Sequence, residues 1–422
     1  MANKKRRKEE EHDVITIHRS FSSNLEGLDT FVGNLGPIVE KHDTRAIRKI
    51  ERGVRDITKV LGIRRGKNGK VIEDKGERKI SQEQLDRVVE MASGLVGINL
   101  AQARLLYNSA FVMLISYFDF LISDLIHCFY RKYPESLTGK ELSITLNELK
   151  SLENVEEAIN HIVSKEVERI LYENFDKQKN YLNSFMKIDT QDELLQWNVI
   201  QEGIERRNIV VHNDSKINRR YLSSVDLSIV PEKKKELKIG EKIGISDDYF
   251  RKTWEEIYIA GSILIQNCWR KWMKEDIGGA DRALNSDIYD ALVKERWVLA
   301  ERLGLFSKGC KVSSQQTRLY FDINYCQSLK WQGKTEELNK ELEKIDVSTL
   351  SPIYLLAIYA LRSDKENFYR GIEKAVIIDE LKESDLMLWP LFKEFRKDQE
   401  YEERVKSIFR LIQNKSRKNV EE

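Results

Sequence analysis

The sequence contains few of the residues that interrupt helices, because its 422 residues include only 5 prolines and 21 glycines. Proline costs a helix interior about 3 kcal/mol and glycine about 1 kcal/mol, so their scarcity favours long helices. Hydrophobic residues make up 41% of the chain and charged residues 33%, which is typical of globular proteins. We therefore predict an all-α protein. Its length exceeds the roughly 250–300 residues at which a single core stops growing, which predicts two or three domains.

The chain also lacks the short motifs of several large enzyme classes. It has no GxxxxGKS/T phosphate loop, no GxGxxG turn after a strand, no HExxH helix and no GxSxG elbow. These absences argue against the enzyme classes that depend on those motifs. Five histidines have no metal-ligand spacing around them. They are His12, His18, His42, His127 and His161. We predict no metal and no cofactor.

Cysteine is scarce as well. Cys128, Cys268, Cys310 and Cys326 lie far apart and form no CxxC pair. Such a pattern is typical of buried free thiols in a reducing compartment. The N-terminal residues contain no apolar segment of the kind that directs secretion. The predicted location is the cytoplasm, without membrane association.

Positive and negative charges nearly balance, and the formal net charge is +2. Two local segments are nevertheless basic. Lys4 to Lys8, followed by Glu9 to Glu11, form either a mobile charged arm or an element for nuclear targeting or phosphate contact. Arg64 to Lys79 is rich in glycine and basic residues, and is either a solvated linker or a surface for a phosphate backbone. A nucleic-acid partner would have to meet a local basic surface of this kind.

The most apolar stretch runs from Leu105 to Phe129. A membrane-spanning helix needs about 20 uninterrupted apolar residues, but Asp119 and Asp124 interrupt this one. We therefore predict a buried core helix that ends at Pro134. Small polar side chains follow one narrow stripe of this helix, namely Asn108, Ser109, Ser116, Asp119 and Ser123. The stripe either meets solvent, lines a cleft or packs its serines against a partner helix.

Helical spacing predicts further helices on both sides of this core. They cover Val14 to Val60, Glu141 to Leu149, Val155 to Tyr172, Lys177 to Met186 and Tyr249 to Met273. Thr190 and Glu193 have the spacing of a capping box that opens another helix. That helix runs through Trp197 toward Arg207, and the turn-forming residues from Asn213 on would stop it.

The segment from Glu205 to Asp214 holds most of the groups able to do chemistry. Histidine titrates near pH 6.5 and can transfer protons at physiological pH, while arginine offers a planar fork that matches phosphate oxygens. Arg207 and His212 are therefore the candidate catalytic residues, and Asn208 would orient the scissile phosphate or select the histidine tautomer. This set suits metal-independent RNA cleavage by the RNA's own 2′-hydroxyl. The products would carry a 2′,3′-cyclic phosphate and a 5′-hydroxyl.

Helix geometry limits how these two residues can act. Arg207 and His212 are five residues apart, which places them roughly 7.5 Å apart along a helix axis and about 140° apart around it. Within one helix they cannot share a small ligand unless the helix end unwinds. Two copies of the helix facing each other across a two-fold axis would bring both residue types to one groove. The functional interpretation therefore predicts a homodimer.

Arg207 to His212 resembles the R-x4-6-H motif of HEPN domains, including the asparagine that commonly follows the arginine. The turn from Asn213 to Tyr221 and the run from Ser116 to Leu121 are also similar to HEPN segments, and the resemblance covers roughly Gly94 to Lys274. It implies a helical dimer with its active site at the interface. Proteins of this family usually act as ribonucleases in toxin–antitoxin or anti-phage defence systems.

Neighbouring residues are weaker candidates for substrate binding. Arg206 either lies on a solvated face or contacts RNA, and Asn213 follows the motif directly. Asp119 either faces the site or is a buried acid satisfied by an arginine or the backbone. The alternative for Arg207 and His212 is that they only stabilise a helix end, where a protonated histidine contributes about 0.3–2 kcal/mol.

Beyond Gly278 and Gly279, which we take as the end of a domain, the pattern changes to paired short helices. Apolar helix starts recur about 32–33 residues apart, close to the period of helical-hairpin repeats. They lie near Ile288, Tyr320, Ile353 and Leu386, with turns at Gly304, Gly333 and Ser363-Asp364. Leu329 to Lys334 and Trp389 to Arg396 look like parts of the tetratricopeptide-like tails of some defence proteins.

The predicted organisation is an N-terminal helical extension (1–92), a HEPN-like helical domain (93–276), a TPR-like α-solenoid (280–412) and a polar tail (413–422). The expected partners are an RNA substrate, a second copy of the chain, and a protein trigger or antitoxin bound by the repeats. The alternative function is a catalytically silent scaffold that binds a partner protein or a nucleic acid.

Overall fold

The computed structural model describes residues 14–63, 80–96, 98, 100–138, 144–191, 193–230, 237–348, 350–378, 381–399 and 401–410. These residues are mostly helical and include no β-strand, which confirms the all-α prediction. Lys216 and Lys242 form an isolated β-bridge. The N-terminal basic run, the basic segment 64–79 and the polar tail lie outside the described residues.

The chain divides into two compact units. The site unit consists of Arg19–Ser123 and Gln196–Tyr258, and the hairpin unit consists of Met1–His18, Asp124–Leu195 and Ile259–Glu422. The domain boundaries expected near residues 92 and 276 stay predictions. Gly278 and Gly279 do not form a turn, because they lie in the first turn of a helix that begins at Ile277.

The helices are labelled in chain order. The first nine are α1 (Val14–Val60), α2 (Gln82–Ser93), α3 (Gln102–Lys132), α4 (Leu146–Lys150), α5 (Val155–Leu171), α6 (Phe175–Asn180), α7 (Trp197–His212), α8 (Arg219–Ser224) and α9 (Asp247–Trp272). The next seven are α10 (Ile277–Val293), α11 (Trp297–Gly309), α12 (Gln315–Trp331), α13 (Thr335–Leu342), α14 (Pro352–Leu361), α15 (Lys365–Ile377) and α16 (Glu383–Leu388). Residues 401–410 are also helical.

Helix α3 supplies much of the core of the site unit. Phe111, Leu114 and Ile115 are fully buried, and the helix ends at Lys132, just before Pro134 opens a 3₁₀ turn. In the described part of the chain, α3 is the one helix long and apolar enough to cross a membrane. Half of its most apolar stretch is buried inside the structure. Its burial confirms the predicted core helix.

The site unit is built by close packing of α3, α7 and α9. Gly203 of α7 lies close to both neighbouring helices. A Cβ atom there would be 3.1 Å from Cγ2 of Thr253 in α9 and 3.5 Å from Cδ1 of Ile115 in α3. Helix α1 packs on α9, where the indole of Trp254 donates a hydrogen bond of 2.8 Å to the carbonyl of Leu25. These contacts hold α7 between two buried helices.

In the hairpin unit, α11 packs against α10 and α12, α12 also packs against α10, α13 and α14, and α14 packs against α15. Gly333 has a positive φ of 72°, and Ser363 has a φ of 55°, so both predicted turns are confirmed. Gly304 is not a turn residue. It lies inside α11, where the missing Cβ allows close approach to Tyr325.

The predicted repeat spacing matches these helices in part. Pro352 begins α14 one residue before the predicted start at Ile353, and Glu383 begins α16 three residues before Leu386. Ile288 lies in the middle of α10, which begins at Ile277, so the first predicted start is wrong. The spacing of apolar residues alone cannot distinguish the first residue of a helix from a buried residue in its middle.

Candidate functional site

Helix α7 carries the candidate residues at its C-terminal end. It begins at Trp197 without a side-chain cap at Gln196, so the predicted capping box of Thr190 and Glu193 is wrong. Its last helical residue is His212, and Asn213 is the C-cap. The chain then turns sharply, because Asp214 and Ser215 both have positive φ angles of 49° and 61°. The predicted stop of the helix is therefore confirmed.

Arg207 forms an ion pair with Asp119 of α3. Its Nη2 donates to Oδ2 of Asp119 at 3.2 Å, and the two side chains are 26% and 31% exposed. A guanidinium has five N–H donors, and the Nε of Arg207 is buried without a hydrogen-bond partner. The arginine is thus anchored on one side, and because its Nε is shielded from solvent, an incoming anion would meet its Nη atoms.

Asp119 has an unusual environment for a carboxylate. Burial raises the pKa of Asp119 to about 6, while the charge of Arg207 acts in the opposite direction. A carboxyl group with a pKa near 6 changes its protonation close to neutral pH. Asp119 is therefore an acid paired with an arginine, and that arginine is the candidate catalytic one.

His212 differs from Arg207 in its surroundings. Its side chain is exposed and makes no hydrogen bond to another described residue. Because it lies five residues after Arg207 in a regular helix, the two residues are roughly 7.5 Å apart along the axis and face directions about 140° apart. One copy of the chain does not bring the arginine and the histidine to one point.

Asn208 and Asn213 have partners of their own. The amide of Asn208 donates to Oε2 of Glu205 at 3.4 Å, and Glu205 also accepts a hydrogen bond of 3.2 Å from Arg220. The amide of Asn213 donates to the carbonyl of Lys216 at 2.6 Å and so closes the turn after α7. In this arrangement Asn213 has a local structural contact, whereas Asn208 is half-buried beside Arg207.

Arg206, the other candidate for RNA contact, is buried in the core with 0% exposure. Its Nε donates to Glu202 at 2.8 Å, and its Nη1 donates to the carbonyl of Gly244 at 2.9 Å. Its guanidinium also lies 4.0 Å from the ring centroid of Tyr249. This placement leaves no surface of Arg206 for RNA, so we exclude it from the candidate site.

The buried cluster around Arg206 was not predicted. Glu202 accepts hydrogen bonds from the hydroxyls of Tyr221 and Tyr249. Burial and the charge of Glu202 raise the pKa of both tyrosines well above the ordinary value. The sequence does contain one indication of this cluster. Glu202 and Arg206 are four residues apart, and side chains at that spacing meet on one helix face. The cluster ties α7 to α8 and α9 beneath the candidate site.

The helices that carry the Arg207–Asp119 pair also carry exposed apolar residues. Phe120 follows Asp119 directly and is 56% exposed, and Val211, one turn after Arg207, is 49% exposed. Leu105 and Met113 on the outward face of α3 are exposed as well. Large exposed apolar groups around a polar site are typical of surfaces that contact another molecule.

No protein-family model, no curated protein and no solved structure matches this chain. Within the described ranges, no group of three or more His, Cys, Asp or Glu side chains is arranged to hold a metal ion. The chemistry of the site therefore has to be inferred from Arg207, Asp119 and His212.

Proposed function

We propose that this protein is a metal-independent endoribonuclease with a HEPN-like site unit. The observation that carries the proposal is the ion pair of Arg207 and Asp119, with an exposed histidine on the same helix. The pair holds the guanidinium partly exposed at the surface of the unit, where phosphate oxygens can approach its Nη atoms. Arginine and histidine together supply charge stabilisation and proton transfer, the two needs of RNA transesterification.

In the proposed reaction, the 2′-oxygen of the RNA attacks the adjacent phosphorus and loses its proton. The bond from phosphorus to the 5′-oxygen breaks, and that oxygen gains a proton. Arg207 stabilises the extra negative charge on the phosphorane, His212 transfers protons, and Asn208 orients the phosphate. The products are a 2′,3′-cyclic phosphate and a 5′-hydroxyl, so the reaction needs no metal and no protein nucleophile.

The proposed active form is a homodimer. One copy separates Arg207 and His212 around α7, and a second copy would bring both residue types to one groove. Phe120 follows Asp119 in sequence, Val211 lies about one helical turn after Arg207, and both are exposed, which supports an interface at this surface.

The stacked helices of the hairpin unit support a second part of the proposal. Helical-hairpin arrays expose extended surfaces that bind proteins or peptides. We infer that this unit resembles tetratricopeptide-like repeats and recognises a protein trigger or an antitoxin. The biological setting proposed for the enzyme is cytoplasmic anti-phage defence, abortive infection or a toxin system, as the HEPN resemblance implies.

Cleavage of total RNA by the purified protein tests the function. Wild-type protein is expected to leave cyclic-phosphate ends in the presence of a chelator, whereas Arg207→Ala and His212→Ala each abolish cleavage. Arg219→Ala serves as the control, because Arg219 is an exposed arginine on the neighbouring helix α8. Cleavage that persists in His212→Ala, or that stops when a chelator is added, contradicts the mechanism. If the protein stays silent with its activator present, the scaffold function is favoured instead.

A further inference from the structure

Helix α1 carries a row of basic residues along one face of its second half. In order they are Lys41, Arg45, Arg48, Arg52, Arg55 and Lys59. Successive members are alternately four and three residues apart, so at 3.6 residues per turn they fall within an arc of roughly 80°. From Lys41 to Lys59 the helix rises roughly 27 Å. We call these six residues the basic stripe.

The residues of the basic stripe are all exposed. Arg45, Arg48, Arg52 and Arg55 make no ion pair with any other residue that the structure describes. The Nζ atom of Lys59 lies 3.9 Å from Oδ1 of Asp56, which is also exposed. Lysine and arginine side chains at such spacing repel one another and destabilise an isolated helix. The exposed acids Glu51 and Asp56 flank the row and offset part of this repulsion. An anionic partner would remove the remainder.

Two acidic residues of α1 near the start of the stripe point elsewhere. Oδ2 of Asp43 accepts a hydrogen bond of 3.0 Å from the backbone N–H of Ala103, at the start of α3. Oε1 of Glu40 accepts one of 2.8 Å from the hydroxyl of Tyr107. These two acids thus contact the body of the site unit, whereas the cations of the stripe are exposed.

Other neighbours cover the opposite side of the helix. Gly53 lies against the side chain of Leu95, where a Cβ atom would come within 2.8 Å. Gln84 donates a hydrogen bond of 3.2 Å to the carbonyl of Val60. A helix that binds a membrane surface needs a continuous free apolar face. Part of the less polar side of α1 is covered by Leu95 and by the contact of Gln84, and the exposed apolar residues Ile38 and Ile47 stand apart from each other.

We propose that the basic stripe binds the phosphate backbone of a nucleic acid. A line of closely spaced cations on one helix face is the electrostatic footprint of such binding, because each contact with a phosphate releases a condensed counterion. Contacts of this kind position a strand without reading its sequence. The inference concerns the same substrate class as the proposed ribonuclease function, but it rests on a different surface and on its own charges.

Binding of a fluorescent single-stranded RNA of about 20 nucleotides to the full chain tests the proposal, read by anisotropy at several salt concentrations. All proteins carry His212→Ala, so that cleavage does not consume the probe. The stripe variant is Arg48→Gln/Arg52→Gln/Arg55→Gln. The matched control, Lys340→Gln/Arg362→Gln/Lys374→Gln, removes the same charge from exposed sites of the hairpin unit.

Loss of three phosphate contacts is expected to lower the slope of log affinity against log salt by about 2, and to weaken binding roughly 100-fold at about 0.1 M salt. The control triple variant is expected to keep the parental affinity within roughly threefold. Arg52→Glu is a second, milder variant that reverses one charge at the centre of the stripe. Far-ultraviolet circular dichroism and thermal melting check that each variant is folded.

Equal weakening in the stripe and control variants would refute the proposal, since only the net charge would then matter. Unchanged RNA affinity, with loss of binding to phosphatidylserine vesicles, would refute it as well and indicate a membrane surface. The ribonuclease function has its own test. If the protein with His212 intact leaves no cyclic-phosphate products, that function is refuted, whatever the binding experiment shows. The binding experiment and the cleavage experiment can therefore be interpreted independently.

Discussion

Arg207 and Asp119, 88 residues apart in sequence, form an ion pair with a separation of 3.2 Å between Nη2 and Oδ2. The pair joins the C-terminal part of α7 to the middle of α3. It fixes the direction of a guanidinium that otherwise has four rotatable bonds, and it places a half-buried carboxyl group beside the proposed scissile phosphate. The pH dependence of the site should follow from this relationship.

The first prediction concerns the stability of Asp119→Asn. Burial raises the pKa of Asp119 from 3.8 to about 6, so between about pH 4 and pH 6 the folded chain binds more protons than the unfolded chain. The contribution of this group to stability is therefore largest below pH 4 and falls as the pH rises through 6. The asparagine amide mimics the protonated acid, so the variant should match wild type near pH 4 and exceed its stability at pH 7.

Urea unfolding of both proteins at pH 4, 5, 6 and 7 measures this difference. Because the two chains share every other titratable group, the difference in the free energy of unfolding isolates Asp119. A variant that is less stable than wild type at pH 7 would show that the charge of Asp119, through Arg207, stabilises the fold more than burial opposes it.

The second prediction concerns the buried Arg206–Glu202 pair. Arg206→Ala leaves the Glu202 carboxylate buried without its cation, and breaking such a pair costs about 3–5 kcal/mol. The exposed Arg219 provides the control, since Arg219→Ala should change the free energy of unfolding by less than about 0.5 kcal/mol. Chemical denaturation measures both. A loss below about 1 kcal/mol in Arg206→Ala would mean that the hydroxyls of Tyr221 and Tyr249 suffice to stabilise Glu202.

The third prediction compares two glycines of helix α11. A Cβ atom at Gly304 would lie 3.1 Å from Cβ and 3.3 Å from Cα of Tyr325, whereas one at Gly309 would meet nothing within 4 Å. Gly304→Ala should therefore destabilise the chain by about 1–3 kcal/mol through overpacking. Gly309→Ala should be neutral, or stabilise by up to about 1 kcal/mol, because alanine is the better helix former.

Thermal melting of the two alanine variants beside wild type gives the result. Equal melting temperatures for Gly304→Ala and Gly309→Ala would mean that α11 and α12 can separate slightly at no cost. A lower melting temperature for Gly304→Ala alone would establish the close contact at Tyr325.

The fourth prediction concerns the proposed dimer. Phe120 and Val211 are exposed in the single chain, so glutamate at either position should leave the fold intact. In a dimer built on this surface, Phe120→Glu would bury a charge at an apolar contact, and association should weaken at least tenfold, which corresponds to about 1.4 kcal/mol.

Sedimentation velocity over a range of protein concentrations measures the association. Val293→Glu, at an equally exposed position of the hairpin unit, is the matched control and should not affect it. An unchanged dimer in Phe120→Glu would place any interface elsewhere and would remove the support that these apolar residues give to a shared groove.

Local patterns in the sequence predicted several features correctly. The scarcity of proline and glycine predicted the all-α fold, and the apolar run of α3 predicted a buried core helix. The turn-forming residues after His212 predicted the end of α7, because helix propensity and termination depend on neighbouring residues. Gly333 and Ser363 were recognised as turns for the same reason. These features need no knowledge of what the helices pack against.

Tertiary packing decided what the same patterns left open. Arg206 and Arg207 are adjacent and chemically identical, yet one is fully buried against Glu202 and the other pairs with Asp119 at the surface. The sequence around Gly304 indicates a turn, but the residue lies inside α11, where its missing Cβ allows close contact with Tyr325 of α12. The orientation of each helix about its own axis is set by the apolar faces of distant segments. A step of one residue turns a side chain by about 100°, so the sequence motif could propose Arg207 for the candidate site, while only the packed helices showed that its neighbour Arg206 is buried.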